Sequence, residues 1–315
     1  MKHFQMALTR ADKRVVKVLV CVIMLSLAVA CLASCSRGEG LEEEEHAVGI
    51  RVKDGGAMED TVVTIHFTRF EMEAMGTRSA MTRAAVGDVS TRLDVWICSG
   101  GEVVADVHQA STDAGFGTVS VRLDKNTSYS LYAVSHKCDA QATMTDGVIA
   151  FPDDKVKDSF YASATFTPSE SQTVAVTMAR CVGQFRISTT DQVPAEVARL
   201  VFTLADTPVR IDTSTGLPTH TTERTVTYNN PSLNGDGTLT LSLYALGGTD
   251  EPVSTDITAR VYNSGGEEIL VRQFSAVPLR NGYRTLYQGE FFTSQSMSMS
   301  FSTAADWTDS DIVNF

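Results

Sequence analysis

Apolar and polar residues alternate along most of the chain. In Thr61–Thr68, Val63, Ile65 and Phe67 share one side, and in 117–123 the same holds for Val119, Val121 and Leu123. A period of two marks a half-buried strand. Arg92–Cys98 is a second apolar run, and Gly100-Gly101 turns it into Glu102–Val107, predicting a β-hairpin. Strands are also predicted at Ser128–Val134, Thr173–Met178, Gly183–Ile187, Val201–Leu204, Gly237–Tyr244, Arg284–Gln288 and Ser296–Phe301. A hairpin at Ile257–Val271 turns on Gly265-Gly266. Val193–Leu200 has room for one turn of helix, and no long amphipathic helix is present. Turn signals recur about every ten residues, which predicts an all-β protein of stacked sandwiches. Two strand patterns meet near Arg180–Gly183, so the expected modules are 48–180 and 181–315.

The first 35 residues break the pattern. Lys13, Arg14 and Lys17 precede the apolar run Val18–Ala30, which closes on Leu32-Ala33-Ser34-Cys35. Basic residues, a short apolar core and small residues at the end form a secretory signal. A membrane span needs about 18 or more apolar residues, and this run is shorter. Leu-Ala-Ser-Cys resembles the end of a bacterial lipoprotein signal, which implies cleavage between Ser34 and Cys35 and acylation of Cys35 by palmitate-type chains. The expected layout is therefore a signal at 1–34, a lipidated tether at 35–47, and then the two modules. One acyl chain holds weakly and two or more hold stably. The tether is polar and carries Glu42–Glu45. Such acidic runs resemble surface-export signals of Bacteroidales lipoproteins.

The full chain has a formal charge of −12. Residues 1–34 contain five Lys or Arg and one acidic residue, so their loss leaves 21 basic against 37 acidic residues, a charge of −16. Nucleic acid is not an expected partner, because phosphate contacts need a basic face. Cys98, Cys138 and Cys181 are the cysteines that follow Cys35. Their odd number and wide spacing fit neither a disulfide framework nor a zinc site.

Catalytic patterns are missing as well. His66, His108, His136 and His220 stand apart, and there is no Gly-x-Ser-x-Gly elbow or phosphate-binding loop. Asp153-Asp154 and Asp309/Asp311 are paired carboxylates of the kind that solvent usually covers. No catalytic residue, metal or cofactor is therefore expected. A glycan-binding protein would be expected to cluster exposed aromatics on one loop, and no loop does. Trp96 reads as core. The small polar stretch 76–83 carries Arg78 and Arg83, and exposed loops of this kind are where proteases cut.

Several segments in order resemble the fimbrillin superfamily of Bacteroidales, with its FimB-type anchors and fimbria-associated lipoproteins. They are Leu93–Val104, Tyr129–Val134, Asp158–Ala162 followed by Val174–Ile187, and Pro278–Phe292. The resemblance spans about residues 60–307. It implies two tandem transthyretin-like β-sandwiches, no catalysis, a place on the outer membrane or fimbrium, and fimbrial subunits as partners. Shaft subunits of the family lose their first strand to a protease and take a strand from the next subunit in its place. Anchors keep theirs and stay tethered by lipid. An anchor or cap that binds a subunit through a sheet edge is the leading expectation. The alternative is a shaft or tip subunit cut at Arg78 or Arg83. Met297, Met299 and Phe301 alternate near the C-terminus, so that strand either closes the second module or is donated.

Overall fold

The computed structural model describes residues 59–71, 90–293 and 300–304, with backbone alone for 68–71 and 300–304. Strand-formers bounded by Gly, Asp and Asn turns give an almost purely β chain. The first half contains β1 (Asp60–Glu71), β2 (Arg92–Ser99), β3 (Glu102–Ala110), β4 (Thr118–Asp124), β5 (Tyr129–His136), β6 (Thr143–Thr145), β7 (Val148–Ala150), β8 (Ser159–Phe166) and β9 (Gln172–Arg180). The second contains β10 (Val182–Thr189), β11 (Val197–Asp212), β12 (Leu217–Asn229), β13 (Thr240–Leu246), β14 (Val253–Asn263), β15 (Glu268–Leu279), β16 (Arg284–Gly289) and β17 (Ser300–Ala304).

The first sheet runs β3-β2-β5-β8-β9-β1-β4. β8 and β9 share just two residue pairs, Phe160↔Arg180 and Tyr161↔Ala179, so the sheet bends there and folds over itself. Val95, Ile97, Leu131 and Phe160 on one wing and Ile65, Val121 and Met178 on the other join one apolar cluster. This is the first sandwich. At its base Asp124 N–H donates to the Tyr129 hydroxyl (3.0 Å), beside a turn that puts Asn126 at φ 61°.

The second sandwich pairs the sheet β13-β10-β16-β17 with β15-β14-β11, to which β12 adds on the free side of β11. Phe185, Leu200, Phe202, Leu241, Phe274 and Phe291 share its core. Phe274, Phe185 and Tyr287 pack edge to face with centroids 4.8–5.2 Å apart, a preferred geometry for aromatic rings. Thr285 and Gly183 are drawn close to the 278–280 backbone: Thr285 Oγ1 donates to the Pro278 carbonyl (2.6 Å), and a Cβ on Gly183 would lie 2.9 Å from Arg280 N.

One feature differs from the sequence expectation. Residues 193–196 hold a turn rather than helix, because Val197 N–H reaches the Pro194 carbonyl (3.0 Å) and extended chain follows at once. Trp96 is core, but not in the first sandwich. β2 is buried on both faces: Leu93, Val95 and Ile97 face the sandwich, while Trp96 joins Val134, Phe151, Val156, Cys181, Ile211 and Leu246 in a third cluster. That cluster draws on both halves. β11 passes through both as well, pairing with β14 over Val197–Leu204 and with β7 over Arg210–Asp212.

Candidate functional site

β1 is the structural element closest to the functional expectations. It is not an edge strand. It lies between β4, antiparallel from Asp60↔Asp124 to His66↔Thr118, and β9, parallel from Val63↔Gln172 onward. Val63 and Ile65 are fully buried and Phe67 nearly so. Polar residues on the opposite side bond across to β4: Thr64 Oγ1 lies 3.3 Å from Ser120 Oγ, and His66 Nδ1 lies 3.0 Å from Thr118 Oγ1. Among the described residues β4 has no neighbour besides β1 in the sheet, so there β1 joins it to the rest. Losing β1 would expose a two-sided slot of unpaired N–H and C=O groups, which invites another strand.

The outer edges are unequal. At the β13 edge, the Tyr228 hydroxyl donates to the Ser242 carbonyl (2.8 Å) and Arg224 Nη1 to the Tyr244 carbonyl (3.0 Å). Side chains therefore occupy acceptors that a docking strand would need. Among the described residues β3 is an edge strand, with Val103 and Val104 46 % and 36 % exposed as an apolar strip along it.

Two of the histidines that stand apart in sequence meet in space. Asp94, fully buried, accepts from His136 Nε2 (2.7 Å), His108 Nδ1 (2.7 Å) and Ala142 N–H (2.9 Å). Burial works against the Asp94 charge, yet the bonds from His108, His136 and Ala142 hold its carboxyl below the usual range. The Asp94 bond raises His108. For His136, burial disfavours the charge while Asp94 and Cys138 raise it to about 9. The Cys138 amide opposes that rise, since its N–H donates to Nδ1 (3.1 Å) and cannot donate to a protonated nitrogen. In the neutral ring the amide selects the tautomer with its proton on Nε2, which donates to Asp94. His136 has no exposed surface and its neighbour Cys138 donates its thiol to the Lys155 carbonyl (3.1 Å), so no substrate reaches either. The triad pins the 137–142 segment to β2 and β5. Asp158 and Arg180 form a second buried pair, with two bonds of 2.8 and 3.0 Å and both side chains 1 % exposed. Cys98, Cys138 and Cys181 are buried and unbridged.

Ser34, Cys35, Arg78, Arg83, Met297 and Met299 lie outside the described residues, and so does Phe301 beyond its backbone. β17 closes the second sandwich by pairing with β16. Asp153 and Asp154 face Lys155 (3.1 Å) and Arg210 (3.8 Å). Among the described residues no three His, Cys, Asp or Glu side chains gather as metal ligands. What sequence reading missed is the Asp94 triad, whose members are 14 and 42 residues apart along the chain.

Residues 130–311 match the model of a family described as a family of unknown function, DUF6562. No curated protein matches the chain. Among solved structures, it is similar to a candidate cell adhesion protein from Bacteroides ovatus (16 % identity, 79 % of this chain and 97 % of that one, TM-score 0.45). It is also similar to the fimbrial anchor protein Mfa2 from Porphyromonas gingivalis (11 %, 77 % and 95 %, TM-score 0.46) and to a fimbrial assembly protein from Parabacteroides distasonis (10 %, 78 % and 95 %, TM-score 0.41).

Proposed function

The chain belongs to DUF6562, the family of unknown function whose model it matches over more than half its length, and from that premise we propose a non-catalytic surface lipoprotein that anchors or caps a fimbria. In this reading the signal is cut before Cys35 and acyl chains on Cys35 hold the protein in the outer membrane. Along the chain the tether is followed by module 48–180 and then by module 181–315. A fimbrial subunit is bound by main-chain pairing along a sheet edge. The observation that carries the proposal is β1 itself. It is supplied in cis, sits between β4 and β9, and buries Val63, Ile65 and Phe67. A slot filled by the protein's own strand cannot accept a donor, so an uncut chain ends a fibre rather than extending it. The open β3 edge, with Val103 and Val104, supports edge binding.

A second reading has one observation in its favour. Arg78 and Arg83 fall between the end of β1 at Glu71 and the start of β2 at Arg92. A cut there would separate β1 and the lipid from all the other strands, and the vacated slot would make the protein a shaft or tip subunit. Cys35→Ser tests the leading proposal. The variant should leave the outer-membrane fraction and fibres should detach from cells. Fibres that stay attached and of normal length would overturn it.

A further inference from the structure

A cleft of about 290 Å3 opens on the second sandwich where the end of β12 meets β10 and β13. Tyr228, Tyr244, Pro231 and Leu241 give it apolar surface, and Asn229 and Asn230 supply amides. The site is held in shape from both sides. Tyr228 is fastened to the Ser242 carbonyl (2.8 Å), and Tyr244 takes the Gln184 side-chain amide on its hydroxyl (3.1 Å). The loop beyond Asn230 is braced by Asn234, whose amide donates to Thr238 Oγ1 (2.8 Å) and Thr240 Oγ1 (3.2 Å). Asn230 takes φ 45° and its N–H donates to the Ala198 carbonyl (2.8 Å), which fixes the backbone at the cleft. Asn229, Asn230 and Ser232 are exposed, and no described residue bonds to their side chains.

We propose that this cleft binds a single pyranose ring of a neutral glycan. The volume lies at the bottom of the range for small-ligand sites, about 300–1,000 Å3, which limits the occupant to roughly one ring. Preformed sites lose less on binding than sites that must be ordered. The mature chain's charge of −16 works against an anionic ligand at long range, while Arg186 is a cation in the lining, which makes inorganic phosphate a necessary comparison ligand. Side-chain amides and a hydroxyl can both donate and accept, which suits a ring of hydroxyl groups that do the same. The apolar lining suits the C–H face of such a ring. Sequence alone hides the site, since its tyrosines come from two strands and not from one loop.

The test uses the 15N-labelled mature chain and three probes: methyl mannopyranoside, methyl galactopyranoside and N-acetylglucosamine. Phenylalaninamide and inorganic phosphate serve as comparison ligands. At least one sugar should shift the Asn229 and Asn230 side-chain amide signals with a millimolar midpoint. Asn229→Ala combined with Asn230→Gly, which tolerates the positive φ, should weaken that sugar about tenfold, as expected for one or two lost hydrogen bonds. No amide shift with any sugar up to roughly 100 mM, a hundredfold above a 1 mM site, overturns the proposal. So does an unchanged midpoint in the double variant, or a response confined to phenylalaninamide or phosphate. The result does not depend on the anchoring role, since it concerns a site in the second sandwich.

Discussion

Ile65→Ala probes the strand on which the functional reading depends. Ile65 is fully buried, faces Val119 across β4 and Val174 across β9, and belongs to the first core. Truncating a buried isoleucine removes its transfer energy and leaves a cavity, at a cost of about 2–5 kcal/mol. At roughly 3 °C per kcal/mol for a unit of this size, the melting temperature should fall by about 6–15 °C. Thr64→Ala is the internal control. Its side chain points the other way and makes one exposed contact with Ser120, so it should cost no more than about 0.5 kcal/mol. The assay is thermal unfolding followed by Trp96 fluorescence in a Trp307→Phe background. Equal shifts for the two variants, or a loss below about 1 kcal/mol for Ile65→Ala, would refute the placement of β1 between β4 and β9.

Arg180→Met should cost about 3–5 kcal/mol by stranding the Asp158 charge, while the double replacement Asp158→Leu/Arg180→Met should recover most of the loss; denaturant titration of the cycle measures both. Gly183→Ala should destabilise the second sandwich by about 1–3 kcal/mol, because its Cβ would meet the backbone of Arg280 and Leu279, which cannot rotate away; the same titration reads it. For His108, a pKa raised in the fold means stabilisation that is complete below its ordinary value near 6.5 and lost as pH climbs through the raised value. The opposite sign applies to Asp94, whose lowered pKa gives stability that is present above the ordinary carboxylate range and lost in acid. Melting temperature between pH 6 and 10 should therefore fall in the native protein and fall less steeply in His108→Gln, where His136, raised to about 9, still titrates.

Alternation was readable wherever a strand has one buried face. β4 shows it plainly, with Val119, Val121 and Leu123 inside and Ser120 and Arg122 outside. β2 is harder, because both its faces are covered and the polar Asp94 lies on the inner side of a network rather than in solvent. β12 carries almost no apolar signal, since it is a Thr-rich, exposed strand that among the described residues pairs with β11, and no strand is predicted from sequence over Leu217–Asn229. The single helical turn expected at 193–200 failed because one Pro194–Val197 turn bond ends the local curvature before extended pairing with β14 takes over. Contacts that join distant positions, such as His136 to Asp94 or Tyr228 to Ser242, depend on register and leave no local trace. Cys35, Arg78 and Arg83 are the reverse case, legible as motifs in sequence and outside the described fold.

An anchor or cap requires that β1 and Cys35 remain joined to both sandwiches in the working protein. Intact mass and N-terminal sequence of the protein purified from outer membranes and fibres test it most directly. An acylated Cys35 on a chain uncut through Arg78 and Arg83 is the expected result. A new N-terminus at Ser79 or Ala84, on protein held in SDS-resistant ladders, would contradict it.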